Sequence, residues 1–164
     1  MQLVVADAGP LIALAVAGVL PQALEQFDCC VPQAVLDECL ADAYAPGALI
    51  IRGSSRLGSF TLIADSAIQA LDSAYAMGLG SGEVAVLSYA LQNKQIALID
   101  ERRARRVALQ LGVAVAGSGA VLLALKKSGA VTSIRPALSA WAAHGYFLSA
   151  ALQKQLLAAA NEKA

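Results

Sequence analysis

The sequence predicts a three-layer α/β/α fold around a central, mostly parallel five-stranded sheet. Three observations carry that prediction. Short apolar runs alternate with helix-length segments along the chain, the runs are apolar at every position instead of every second one, and Gly or Pro marks most joints. Strand and helix in alternation make βαβ units, and an unbroken apolar run belongs to a strand covered on both faces.

Residues 3–6 (LVVA) form the first such run. Gly9-Pro10 opens a helix, with Pro10 suited to its first turn, and Pro21 restarts the chain in a second short helix. Residues 29–31 make the second strand, closed by Pro32. A helix over about 33–44 follows and is stopped by Pro46-Gly47. Residues 49–58 show no clear periodicity and end in a Gly/Ser-rich connector. Residues 60–64, with aromatic and β-branched content, make the third strand. The spacing then predicts a helix over 66–77, broken by Gly78-Leu79-Gly80, and a longer one capped by Ser81 and running to about 92. Residues 96–99 are the fourth strand, 101–111 a helix and 113–116 the fifth strand. After Gly117-Ser118-Gly119 come helices over 120–127, 134–144 and 148–160. No repeat or linker divides the chain, so residues 1–164 read as one domain with a helical extension over about 133–164.

A chain of 164 residues holds one substantial core, and two domains would be cramped. Apolar residues make up 58% of it, and the mean hydropathy is +0.62. The longest candidate span, residues 11–24, is interrupted by Gly18 and Pro21 and is too short to cross a bilayer. No Lys or Arg precedes Asp7, so a signal peptide is not expected either. The expectation is a cytoplasmic protein. Twelve basic and twelve acidic residues cancel, which argues against a strongly basic nucleic-acid binder but leaves room for a local patch. Cys29, Cys30 and Cys39 are odd in number and lack C-x-x-C spacing, so they read as buried thiols of a reducing compartment. With His144 the only histidine, a zinc site is not expected.

Four acids hold the chemistry. Asp7 and Asp100 each follow directly on a strand, and an open α/β sheet gathers its site at the carboxyl ends of its strands. Each also has an ordinary reading as a helix N-cap, with Glu101 in the first turn after Asp100. Glu38 lies mid-helix. Val35, Leu36, Cys39, Leu40 and Ala43 define an apolar stripe, and Asp37 and Glu38 flank it on opposite sides, so periodicity does not choose between them. Glu83 falls in a first helical turn, where the dipole alone rewards an acid by about 0.3–1 kcal/mol. Its Gly78-x-Gly80-x-Gly82 lead-in permits close backbone approach, but it lacks the Lys of a phosphate-binding P-loop and follows no strand. Carboxylates crowded into one crevice repel one another unless a cation compensates. Hard oxygen donors without His or Cys point to Mg²⁺ or Mn²⁺.

The segments VVADAGPLIALA, VPQAVLDECL, LGSGEVAVLSYA and ALIDERRARRVALQLGVAVAGSGAVLLALKKSG, in that order, resemble the PIN-domain family, in the compact form of VapC-like toxin ribonucleases and their prokaryotic relatives. The resemblance covers nearly the whole chain. It implies strand order 3-2-1-4-5 and assigns the acids as Asp7, Glu38, Glu83 and Asp100, choosing Glu38 over Asp37. Two positions depart from the family pattern. The third acid is Glu83 where Asp is more usual, and Asp7 is followed by Ala8-Gly9 where many members place Ser or Thr beside the first or fourth acid.

The implied activity is metal-dependent endonucleolytic cleavage of single-stranded RNA, leaving a 5′-phosphate, with an antitoxin protein as a further expected partner. The dense basic cluster Arg102, Arg103, Arg105 and Arg106 begins right after Asp100; Arg102, Arg105 and Arg106 are expected to guide the phosphate backbone. No Ser-His-Asp set competes, and His144, in an apolar helical stretch, reads as structural. A phosphatase of the aspartyl type would need a second acid two residues after Asp7, where Gly9 stands. The rival from another class is a catalytically quiet module of the same fold that binds metal, RNA or protein without cutting. The apolar segments near 12–20 and 148–157 exceed what one core should cover, which predicts a homodimer.

Overall fold

The computed structural model describes residues 1–164 and contains a five-stranded, all-parallel sheet in the order β3-β2-β1-β4-β5 with helices on both faces. The strands are β1 (Gln2–Ala6), β2 (Phe27–Pro32), β3 (Thr61–Ile63), β4 (Ile96–Leu98) and β5 (Val115–Ala116). The helices are α1 (Ala8–Val16), α2 (Leu20–Gln26), α3 (Gln33–Leu40), α4 (Ala48–Arg56), α5 (Ser73–Ala76), α6 (Ser81–Asn93), α7 (Arg102–Leu111), α8 (Ser118–Ser128), α9 (Arg135–Ala143) and α10 (Ala150–Ala159). The expected topology is the observed one. The chain runs outward through β1, β2 and β3, then returns to build β4 and β5 on the other side of β1. The crevice between the carboxyl ends of β1 and β4 is therefore the topological switch point, where open α/β sheets place their sites.

The central strand is buried because both its faces are covered: Val4, Val5 and Ala6 are at most 2% exposed. Its register pairs Val4 with Cys29 on one side and Ile96 on the other. Alanine lets the helices sit close, with Ala90, Ala97, Ala104 and Ala108 all essentially inaccessible. The three cysteines are free and buried, and burial pushes the thiols of Cys29 and Cys39 up to about 12, so both remain protonated. No helix is long and apolar enough to cross a membrane.

Three element readings need correction. The helix expected over 66–77 is a 3-10 turn at Asp65–Ala67, an extended stretch and the short α5. Side chains of α6 hold that stretch open: Ser88 Oγ donates to Gln69 O, and Gln92 Oε1 accepts the Gln69 N–H at 3.2 Å. Bonds from a neighbouring element have replaced the helical ladder. The helix begun at Gln33 stops at Leu40, short of 44, where Asp42 Oδ1 accepts the Tyr44 N–H at 2.9 Å in a local turn. The unclear segment after 48 is α4, with Ala48, Ile51 and Ser54 buried along one face.

The apolar excess expected near 12–20 is absorbed by the fold. Leu11, Leu14 and Leu20 are about fully buried, and Trp141 of α9 donates from Nε1 to Ala13 O at 2.7 Å. Leu156 and Leu157 of α10 are buried as well. Leu152 of α10 stays 41% exposed, and the other exposed large side chains lie outside these two segments, among them Tyr44, Leu49 and Phe147.

Candidate functional site

Asp7 closes β1, and its backbone N–H extends the ladder to Leu98 O at 3.0 Å. That bond sets its Cα beside the end of β4, two residues before Asp100. The side chain is only 6% exposed. Although Asp7 occupies the N-cap position of α1, it makes no capping bond, and its Oδ1 is buried without any partner. Burial lifts its carboxyl to about 6. The Ala8 N–H pulls the other way, and the charges of Glu83, Glu38 and Asp100 add to the rise.

Glu38 and the start of α6 meet Asp7 across a glycine. A methyl group at Gly82 would stand 2.9 Å from Glu38 Oε2, 3.3 Å from Val35 Cγ2 and 3.5 Å from Asp7 Oδ1. Only a residue without Cβ lets these side chains lie against the first turn of α6. Asp37 turns elsewhere and accepts from Gln33 Nε2 at 2.7 Å, so the tertiary structure makes the choice between the two acids that periodicity left open. Glu83 folds back to accept the Gly80 N–H through Oε2 at 2.9 Å. This is half of a capping box, because Gly80 has no side chain to return the bond. Gly80, and not Ser81, is the N-cap of α6.

Asp100 is exposed and stands close to the turn after Asp7: a methyl on Gly9, two residues on, would be 4.0 Å from Asp100 Cβ. Asp100 does not cap the helix that follows it. Glu101 does, accepting the Ala104 N–H at 2.8 Å. Asp100 instead reaches across the sheet edge to the start of α8, where Oδ1 accepts the Ser118 N–H at 2.8 Å and Oδ2 accepts the Ser118 hydroxyl. The hydroxyl neighbour missing from the sequence around Asp7 and Asp100 thus arrives from eighteen residues downstream. Sequence reasoning missed Ser118 because it stood in what looked like a plain Gly-Ser-Gly connector.

The arginine cluster divides. Arg105 donates from Nη1 to Ile99 O at 3.1 Å, and a methyl at Gly117 would lie 2.8 Å from both that nitrogen and Asp100 Oδ1. Arg102 and Arg105 both line a cleft beside Asp100. Arg103 turns away and donates to Met77 O at 3.4 Å. Arg106 is exposed and stands outside the lining of the cleft beside Asp100. His144 lies at the end of α9 with Nδ1 2.8 Å from Ala140 O, and it does not line that cleft either.

None of the four acids is neutralised by the protein. The two ion pairs of the molecule both belong to Glu162. No three of the acids already stand in a coordinating arrangement, and Glu83 and Asp100 each accept a backbone N–H. Even so, the donor set suits a hard cation. Asp7 Oδ1 is an orphaned buried oxygen facing other carboxylates, which is a costly arrangement for the protein alone.

The comparisons with known proteins agree with this architecture. A family model described as a PIN domain matches residues 3–162. No curated protein sequence matches the chain. Among solved structures, it is similar to a PilT N-terminus domain protein from the hyperthermophilic archaeon Sulfolobus solfataricus P2. The likeness has a TM-score of 0.55 at 12% identity and covers 75% of this chain and 92% of that one, so it speaks for the fold alone. With nearly its entire length matched by the family model and its strands in the order that the resemblance implied, this chain belongs to the PIN-domain family.

Proposed function

We propose that the protein is a Mg²⁺- or Mn²⁺-dependent endoribonuclease that hydrolyses phosphodiesters of single-stranded RNA, with Asp7, Glu38, Glu83 and Asp100 holding the metal. PIN domains are generally nucleases and typically bind divalent metals. The observation that carries the reading is the unpartnered, buried Asp7 Oδ1 with three further acids acting on it and no ion pair to offset them. A bound divalent ion supplies water activation and charge neutralisation at the phosphodiester. The protein's own residues do the placing. Asp7 is fixed by the β1–β4 ladder, and Asp100 is held by both donors of Ser118. Glu38 lies against Gly82, and Glu83 would exchange the Gly80 N–H for the metal or act through it. Arg102 and Arg105 stand where an incoming phosphate backbone would meet them, and Arg106 continues that basic face along α7.

The quiet-module reading is favoured by one feature, the engagement of Glu83 as a cap, which leaves no ready coordinating trio. Asp100→Asn separates the two. Under the nuclease reading it removes Mn²⁺-dependent cleavage of a single-stranded RNA by more than the roughly hundredfold that loss of an outer metal partner costs, with the circular dichroism unchanged. Equal cleavage by variant and wild type would end the reading. Three finer points go with it: cytoplasmic action, a toxin–antitoxin role in which a small antitoxin covers the acid end, and a homodimer. Light scattering at micromolar concentration tests the dimer, and its surface would be the exposed Tyr44, Leu49 and Ile50, not α1.

A further inference from the structure

Beside Asp100 lies a cleft of about 440 Å³ that Asp7, Glu38 and Glu83 do not line. One wall carries Asp100, Arg102, Arg105 and Ser118, at the head of α7 and α8. The facing wall comes from the C-terminal helices and the turn between them, with Trp141, Tyr146 and Phe147. Its volume lies in the range of about 300–1,000 Å³ usual for sites that take a small organic group. The two walls differ in chemistry: cationic and hydrogen-bonding on the side of the acids, aromatic on the other.

Phe147 is the informative residue. It is 92% exposed although it lines the cleft, so the fold gains almost nothing from an aromatic ring at that position. Its neighbours are anchored. Trp141 is buried and bonded to Ala13 O, and the Tyr146 N–H bonds to Trp141 O at 2.8 Å, which fixes the turn that presents Phe147. A planar ring held at the mouth of a cleft, with two guanidinium groups opposite it, fits a ligand that is aromatic at one end and anionic at the other. A nucleotide has that polarity. An apolar peptide segment would leave Arg102, Arg105 and Asp100 unanswered.

We infer that this cleft is a nucleobase pocket, in which Phe147 stacks on a base of single-stranded RNA next to the scissile phosphate while Arg102 and Arg105 hold its backbone. The inference rests on the nuclease reading for the identity of the strand but concerns binding, so the two can fail separately. The C-terminal extension would then be part of the substrate site, and duplex RNA would be excluded because its bases are already stacked.

The test is fluorescence anisotropy with a 5′-labelled twelve-nucleotide single-stranded RNA in EDTA, where cleavage plays no part. Phe147→Ala should weaken binding by roughly tenfold or more, as loss of one stacking partner does. Phe147→Trp should restore it, and Phe147→Leu, which keeps apolar bulk without a stacking face, should not. A labelled strand of the same length made wholly of abasic sites should bind wild type and Phe147→Ala equally. Because Phe147 is exposed, the melting temperature should not move in any variant. Binding unchanged in Phe147→Ala, or full rescue by Phe147→Leu, overturns the base pocket. So does wild type that binds no RNA but self-associates through Phe147, which would make the cleft a protein-docking face. Loss of cleavage in Asp100→Asn with stacking intact leaves both proposals standing, and cleavage retained in Asp100→Asn removes the nuclease reading alone.

Discussion

At Glu162 the fold surrounds a carboxylate with donors, and at Asp7 it surrounds one with other carboxylates. Glu162 accepts the Ile134 N–H at 2.8 Å and the Ser133 hydroxyl at 2.7 Å, and it faces Lys126 Nζ at 3.3 Å. The Ser133 and Ile134 bonds, with Lys126 assisting, hold its carboxyl below the usual range. It ties the end of the chain to the start of α9, a structural task. Asp7 is buried with Oδ1 unpaired, and its carboxyl is lifted to about 6. The same functional group stabilises one region and burdens the other. A burden kept at the switch point of the sheet supports the ligand role proposed for Asp7, since structural acids are usually given partners.

The largest expected effect breaks this comparison directly. Asp7 keeps its proton to about pH 6 when folded, against 3.8 for the ordinary value. Its stabilising contribution is therefore complete below pH 3.8 and is lost as the pH rises through 6, a loss of about 3 kcal/mol by pH 7. Asp7→Asn should raise the melting temperature by a few degrees at pH 7, with the gain fading towards pH 4, while cleavage disappears. Glu162→Gln should behave in the opposite sense: its carboxylate stabilises the fold at neutral pH and loses that effect in acid, so the variant should melt lower at pH 7 and match wild type at low pH. Thermal scans across this range decide the matter. A constant offset between Asp7→Asn and wild type at every pH would contradict the burden assigned to Asp7.

Next in size is the response to metal. Mn²⁺ at a hundred times its dissociation constant should stabilise wild type by about 2.7 kcal/mol. Glu162→Gln should keep that shift and Asp7→Asn should lose it, which calorimetry can show without any substrate. An equal shift in all three proteins would place the ion elsewhere. The smallest stability effect, and a sharper probe of geometry, belongs to Gly82→Ala. The new methyl meets the mobile end of Glu38 at 2.9 Å, so stability should stay within about 1 kcal/mol of wild type. The Mn²⁺-induced rise in melting temperature should nevertheless shrink, because Glu38 must leave its place beside Asp7. An undiminished rise would free Glu38 from the metal role.

The strands were legible because each is a short run of apolar residues, and a parallel sheet covered on both faces demands just that; even β5, with only Val115 and Ala116 paired, was seen. The segment at 66–77 was not legible. Its local pattern is helical, and the bonds that hold it extended come from Ser88 and Gln92 on α6, which no local window contains. Arg106 was grouped with Arg102 and Arg105 by helical spacing, but which part of that face meets the cleft depends on how α7 docks. Ser118 and Tyr146 were invisible for the same reason, since each becomes a neighbour of Asp100 only after distant chain segments close.

By itself the sequence determined the layered architecture, the strand ends and the acids placed on them, because burial on two faces and helix periodicity are written residue by residue. Only the tertiary structure decided that Glu38 and not Asp37 faces Asp7, that Ser118 holds Asp100, and that the C-terminal helices complete a cleft beside the acids. Those are matters of which side chains meet across elements, and local pattern contains no distance between elements that are far apart in the chain.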